Sequence, residues 1–201
     1  KEFIRKYISE GIIDKVLYKD LQRMFKIKDM AGFESVVKII MNDPGQIIEA
    51  NSLAKQLGLQ RVVVSNYLDL LEKSFLVKRL FNFSKNERKS ARKLKKYYPA
   101  IIPPILLFKE DSFSKSIVFE SILVNQLQGD FFWRDQYKNE VDVILTKKEV
   151  FPIEIKYGKI ESKGIKEFMK KFKVKKGAII TPNEEYEIKE NGHLITVIPA
   201  W

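Results

Sequence analysis

From residue 105 onward the sequence alternates short apolar runs with amphipathic stretches. That alternation leaves few folds open besides an α/β layout around a central mixed sheet. Residues 131–133, 140–145, 150–156, 177–181 and 194–198 read as strands, and 105–108 as a further short one. Residues 115–128 and 165–172 read as helices, the first with Val118, Phe119, Ile122, Leu123 and Leu127 as its buried stripe.

Residues 31–83 follow a different order, three helices and then a strand. The first helix, over about 33–41, carries Val36, Val37 and Ile40, and Asn42-Asp43-Pro44-Gly45 breaks it. The second begins near Asn51-Ser52 and ends at Gly58; the third runs from about 61 to 73 with Val64, Leu68 and Leu71 in line. Residues 75–81 then read as a strand. This is the order of a winged helix. The spacing Ala54, Gly58, Val64 resembles a helix-turn-helix, in which a small residue lets the helices approach, Gly makes the turn and a branched residue anchors the third helix. In such a unit Arg61, Ser65 and Asn66 face a DNA major groove. Val62 and Val63 are apolar for that role and tilt the reading towards non-specific or protein contact.

Residues 1–30 read as core-facing amphipathic helix, with Phe3, Ile4, Tyr7 and Ile8, then Val16, Leu17, Leu21, Met24 and Phe25 at helical spacing. Residues 84–98 are dense in cations, among them Lys93, Lys95 and Lys96, and read as a wing, a linker or a basic arm that contacts DNA. The prolines at 99, 103 and 104 place a boundary there, giving a helical linker over 1–30, a winged-helix unit over 31–98 and an α/β domain over 99–201.

A net charge of +11 points to a polyanionic partner, since lysines and arginines that neutralise phosphates release condensed counterions. The plain alternative is a set of solvated lysine faces. The absence of Cys excludes a disulfide framework and a thiolate zinc site, and agrees with a reducing, cytoplasmic compartment. No apolar run approaches the length of a membrane span, and no signal peptide is evident. The chain starts at Lys1 without Met and reads as a piece of a longer protein. Nothing in it fixes an oligomeric state.

One constellation suggests chemistry. In a strand, alternate residues share a face, so Glu154 and Lys156 point together while Ile153 and Ile155 point into a core. Asp142 lies in the preceding strand, with Val141, Val143 and Leu145 on the opposite face. Paired as a hairpin, the two strands bring Asp142 and Glu154 together, and two such carboxylates repel unless a cation lies between them. Mg²⁺ (or Mn²⁺) suits the pair, Lys156 can polarise a water or a phosphate, and Glu120 on the preceding helix can reach the same place. Four Glu-x-Lys triplets occur, at 87/89, 154/156, 161/163 and 187/189. Only the second lies in an alternating apolar strand preceded by an Asp-bearing one. The plain alternative is a surface ion pair worth about 0–1 kcal/mol.

The runs Val118-Phe119-Glu120, Phe132-Trp133-Arg134-Asp135, Asn139 to Leu145 and Ile153-Glu154-Ile155-Lys156 together resemble the restriction-endonuclease-like, PD-(D/E)xK, fold. More closely, the chain is similar to the carboxyl-terminal region of a family of predicted archaeal and bacterial AAA-type ATPases. In that family an ATPase domain precedes a winged helix and a nuclease-like domain. Residues 7–30, with Tyr18-Lys19-Asp20-Leu21, resemble the segment that joins the ATPase lid to the winged helix. The resemblance implies metal binding by Asp142 and Glu154, a catalytic Lys156, a supporting Glu120, and DNA and the ATPase domain as partners. No G-x-x-x-x-G-K-[ST] motif occurs, so ATP would bind only in a domain outside these residues. The alternative function is a non-catalytic interaction or regulatory module of that ATPase.

Other residues read more blandly. His193, the lone His, follows Asn191-Gly192 in a turn with no nucleophile beside it. Phe131, Phe132 and Trp133 read as core. The lysines at 166, 170, 171, 173, 175 and 176 read equally as a solvated face or a phosphate track.

Overall fold

The structure is a computed structural model and describes all residues except Lys26 and residues 87–93. The described chain is α/β, built on one mixed eight-stranded sheet.

The chain opens with a helical segment over 2–25, α-helical at Glu2–Lys6 and Gln22–Phe25, with wider π-type turns at Tyr7–Ile13 and Lys15–Leu21. Leu21 is buried, whereas Phe3, Ile4, Tyr7 and Phe25 are exposed, so the expected core-facing stripe holds only in part. Helix α1 (Met30–Asn42) starts at Asp29, whose carboxylate accepts from the Gly32 N–H and satisfies one of the free amides of the first turn. It buries Phe33, Val36, Val37 and Ile40. Helix α2 (Ala50–Leu57) begins a residue before the expected Asn51-Ser52 cap, with Glu49 at the cap position, and ends at Gly58, whose φ of 66° suits a residue without Cβ. Helix α3 (Arg61–Lys73) buries Val64, Tyr67, Leu68 and Leu71 in the same core. The Tyr67 hydroxyl donates to the Asp29 carbonyl and ties α3 to the start of α1.

Strand β1 (Val77–Asn82) forms a hairpin with β2 (Lys95–Pro99). The charge-dense stretch expected as a wing or arm thus ends in a strand that buries Tyr97 and Tyr98. Then β1 pairs in parallel with β3 (Phe131–Arg134), so the sheet runs across the expected boundary at residue 98. Asn82 reinforces this seam: its amide donates to the Arg134 carbonyl and its Oδ1 accepts from the Arg134 N–H. Residues 105–108 form no strand; Leu106 and Leu107 donate back to the Pro103 carbonyl in a tight turn.

Helix α4 (Ser112–Leu127) leads into β3, β4 (Glu140–Leu145) and β5 (Phe151–Ile155), all antiparallel neighbours. Helix α5 (Lys163–Phe172) then crosses over to β6 (Lys176–Thr181), parallel to β5. The hairpin β7 (Tyr186–Glu190) and β8 (His193–Pro199) closes the far edge, giving the order β2-β1-β3-β4-β5-β6-β8-β7. On one face Phe119, Leu123 and Val124 of α4 pack on Phe132, Val143, Ile153, Ile155 and Ile180. On the other, Ile165, Phe168 and Met169 of α5 pack on Trp133, Ile144, Ile179, Ile195 and Val197. Ile179 and Ile180 fall in different cores, as strand alternation requires. Each such buried side chain contributes about 1.5–3 kcal/mol of transfer free energy.

Candidate carboxylate–lysine site

The site grows out of an irregularity in β4. Between the pairs Phe131↔Ile144 and Trp133↔Val141, β3 advances two residues while β4 advances three. Asp142 and Val143 therefore oppose Phe132 together, a β-bulge, and bulges re-aim side chains. The alternation reverses at that point. Val143 packs against the α4 core, and Val141, expected on the same face, packs with Trp133 and Ile165 in the α5 core. The same reversal leaves Glu140 facing the charged side chains of β2.

Asp142 and Glu154 are both buried, 8% and 5% exposed. The Ile155 N–H donates to Asp142 Oδ2 at 2.8 Å, which joins the bulge to β5. Glu154 Oε2 accepts from the Ile165 N–H, in the first turn of α5, at 3.2 Å. An amide there is free of intrahelical bonding and carries the positive end of the helix dipole, so it suits a carboxylate. Gly164 makes this approach possible: a Cβ at that position would run into the Glu140 carbonyl. Lys156 Nζ lies 2.7 Å from Glu154 Oε1, so both oxygens of Glu154 are engaged. The expected shared face of Glu154 and Lys156 is present, and Ile153 and Ile155 are in the core as expected.

A second charged group meets the first at Asp142. Lys96, from β2, is buried, with its ammonium 2.5 Å from Glu140 Oε1 and 3.7 Å from Glu120 Oε1. The Tyr98 hydroxyl donates to Glu120 Oε1 at 2.6 Å. Arg134 Nη1 adds an outer contact to Glu140 at 3.3 Å. Burial, then the charge of Glu120 and that of Glu154, pushes the Asp142 carboxyl up to about 7, against the pull of Lys96 and Lys156. Burial also raises Glu154, although Lys156 and the Ile165 amide oppose it. Burial would lower Lys96, but Glu120, Asp142 and Glu140 outweigh it and hold the ammonium above the ordinary lysine range. Lys156 behaves alike, with burial overcome chiefly by Glu154. Burial and Glu120 raise the Tyr98 phenol well above its usual value.

Glu120, Asp142, Glu154 and Lys156 thus belong to one electrostatic cluster. Sequence reasoning missed Glu140, Tyr98 and Gly164, and placed Lys96 at a DNA surface rather than in the cluster. Two buried tyrosines directly after Lys96 were the available signal. Among the described residues, no three acidic or imidazole groups gather closely enough to hold a metal ion by themselves.

The other expected DNA contacts lie elsewhere. Arg61 and Ser65 at the start of α3, with Lys95 of β2, line a cleft of about 1140 Å³ between the helical unit and the sheet. Arg79, Arg134, Tyr137 and Lys171 complete its polar wall. Arg79 is held by Asp69 and Glu72 at 3.1 and 2.6 Å. Tyr137 is 77% exposed on a turn fixed by the Asp135 carboxylate, which accepts from the Tyr137 and Asn139 amides. Asn66 is exposed but does not line the cleft, and Lys93 falls outside the described residues. Lys171 sits 5.3 Å over the Trp133 ring, and Lys166 pairs with Glu190. No helix among the described residues is long and apolar enough to cross a membrane.

Residues 3–100 match a family described as a domain of unknown function, DUF8612, and residues 115–201 match another, DUF4143. An uncharacterized protein of Methanocaldococcus jannaschii is 24% identical over 202 aligned residues, 92% of this chain and 42% of that protein. An uncharacterized protein of Haemophilus influenzae is 31% identical over 80 residues, 37% of this chain and 20% of that protein. The chain thus spans less than half the length of either relative. No solved structure matches it.

Proposed function

We propose that this chain is a metal-dependent, DNA-binding and phosphodiester-cleaving module of a larger ATPase, a winged-helix unit joined to a PD-(D/E)xK-like α/β domain. The observation that carries the reading is the bulge-presented Asp142 beside Glu154 and Lys156. Burial and Glu120 leave Asp142 with a charge that its surroundings oppose, and a divalent cation would relieve it. A pair of carboxylates fits Mg²⁺, which uses one or two and keeps waters and phosphate oxygens as its other ligands. Asp142 and Glu154 would hold the ion, and when bound it would supply Lewis-acid stabilisation of phosphate charge.

The protein's own groups do the rest. The Ile155 and Ile165 amides fix the two carboxylates. Lys156, 29% exposed in its side chain, can leave Glu154 for a phosphate oxygen or an attacking water. The Tyr98 hydroxyl fixes the Glu120 carboxyl group in place beside the site. The cleft lined by Arg61, Lys95, Arg134 and Lys171 offers cations to a phosphate backbone, with Tyr137 at its wall for a base to stack on. The 42% share of the archaeal relative leaves room in a longer chain for an ATPase domain.

The test is cleavage of labelled single- and double-stranded DNA with Mg²⁺ or Mn²⁺. Cleavage by the wild type that is lost in both Asp142→Ala and Lys156→Ala supports the reading. Equal cleavage in those variants refutes the site. A second reading, binding without cleavage as an interaction module of the ATPase, is favoured by the full engagement of Glu154 within the fold. Salt-dependent DNA affinity with no cleavage would select it.

A further inference from the structure

Lys96 is the only buried lysine among the described residues. It comes from β2, within the region that matches one family, yet its ammonium lies among carboxylates of the region that matches the other. Glu140 and Glu120 flank it at 2.5 and 3.7 Å, and the Tyr98 hydroxyl at 3.4 Å closes a third side. The aromatic ring of Phe132, 5.6 Å away, lies beneath it.

Lys156, the other lysine of the cluster, differs in one respect. Its side chain reaches solvent, so an incoming cation can displace it from Glu154. The Lys96 side chain is 6% exposed and has no such exit. Withdrawing it would strand a buried charge and leave Glu120 with the Tyr98 hydroxyl and Glu140 with Arg134 as their remaining partners.

We propose that the Lys96 ammonium is a resident cation filling the Glu120–Glu140 half of the cluster, so that the site takes one divalent ion, at Asp142 and Glu154, and not two. Many phosphodiester-cleaving sites place two metal ions among shared carboxylates. Here Glu120 and Glu140 flank Lys96 while Asp142 and Glu154 lie beside Lys156, and a covalently tethered monovalent charge occupies one of the two positions. Lys96 is thus a positioning residue: it aligns Glu120 and Glu140 and fixes the metal stoichiometry. It also makes the site dependent on the β1–β2 hairpin, so the carboxyl-terminal domain alone would lack one of its charges. The inference rests on the reading of Asp142 and Glu154 as metal ligands.

The experiment counts Mn²⁺ per chain by calorimetry, with thermal unfolding at increasing Mn²⁺ as a second readout. It uses the whole chain, Lys96→Ala and Lys96→Arg. Wild type and Lys96→Arg bind one ion. Lys96→Ala, which leaves both room and uncompensated charge, binds two and gains more thermal stability from Mn²⁺ than the wild type. Adding Glu140→Gln to Lys96→Ala returns the count to one. Two ions in the wild type, one in Lys96→Ala, or a Lys96→Ala chain that stays unfolded in saturating Mn²⁺ each overturns the inference. No ion in the wild type would instead overturn the metal reading of Asp142 and Glu154 on which it rests.

Discussion

Replacing Asp142 by Asn removes a charge that the fold opposes while keeping an oxygen to accept from the Ile155 N–H. In the folded protein burial, Glu120 and Glu154 push the Asp142 carboxyl up to about 7, whereas in the unfolded chain an aspartate titrates near its ordinary value of about 4. The folded state therefore binds this proton more tightly. The contribution to stability is fully present below about pH 4 and is lost as pH rises to about 7. Each pKa unit corresponds to about 1.4 kcal/mol, so the loss has a ceiling of about 4 kcal/mol. Asn stays neutral and escapes that loss, but its amide N–H groups need partners in the buried site, which leaves a net gain of about 1–3 kcal/mol at pH 8. Urea unfolding followed by circular dichroism, without divalent ions, at pH 4, 6 and 8 reads this directly. Asp142→Asn should match the wild type near pH 4 and become progressively more stable above it. A variant that is no more stable than the wild type at pH 8, or a gap that does not widen between pH 4 and 8, refutes the electrostatic account of the site.

Three further outcomes follow from the same geometry. Gly164→Ala drives a methyl group into the Glu140 carbonyl and shifts the start of α5. It should cost about 1–3 kcal/mol in urea unfolding and weaken Mn²⁺ binding, because the Ile165 amide leaves Glu154. Lys156→Ala should cost about 1–3 kcal/mol without divalent ions, since buried Glu154 loses its charged partner, while abolishing cleavage and leaving Mn²⁺ affinity equal or higher. Arg61→Ala and Lys95→Ala in the cleft should each weaken DNA binding across sequences and reduce the log–log salt slope by about 1, as anisotropy titrations at several salt concentrations would show.

The sequence made the strands around the site legible because Glu154 and Lys156 alternate with Ile153 and Ile155, and that period survives folding intact. The three amino-terminal helices were legible for a similar reason: Val64, Leu68 and Leu71 keep helical spacing, and Gly58 ends α2. The bulge at Asp142–Val143 was not, because it is a property of pairing with β3 rather than of β4 alone, and it moved Val141 to the other core. Strand β2 hid in a basic stretch, where Lys95 and Lys96 read as solvated and only Tyr97 and Tyr98 hinted at burial. Strand β7 escaped because Tyr186–Glu190 lies on the sheet edge and buries none of its residues, so no apolar period marks it. The role of Lys96 depends on bringing β2 within reach of β4, across β1 and β3, and no local pattern encodes that distance.

A divalent cation seated on Asp142 and Glu154, as proposed, would be detectable in solution. Isothermal calorimetry of Mn²⁺ with the wild type and Asp142→Ala at pH 7.5 tests it most directly. Binding by the wild type should be lost in the variant, with protons released in proportion to the protonated fraction of Asp142. Undiminished binding by Asp142→Ala, or none by the wild type, would contradict it.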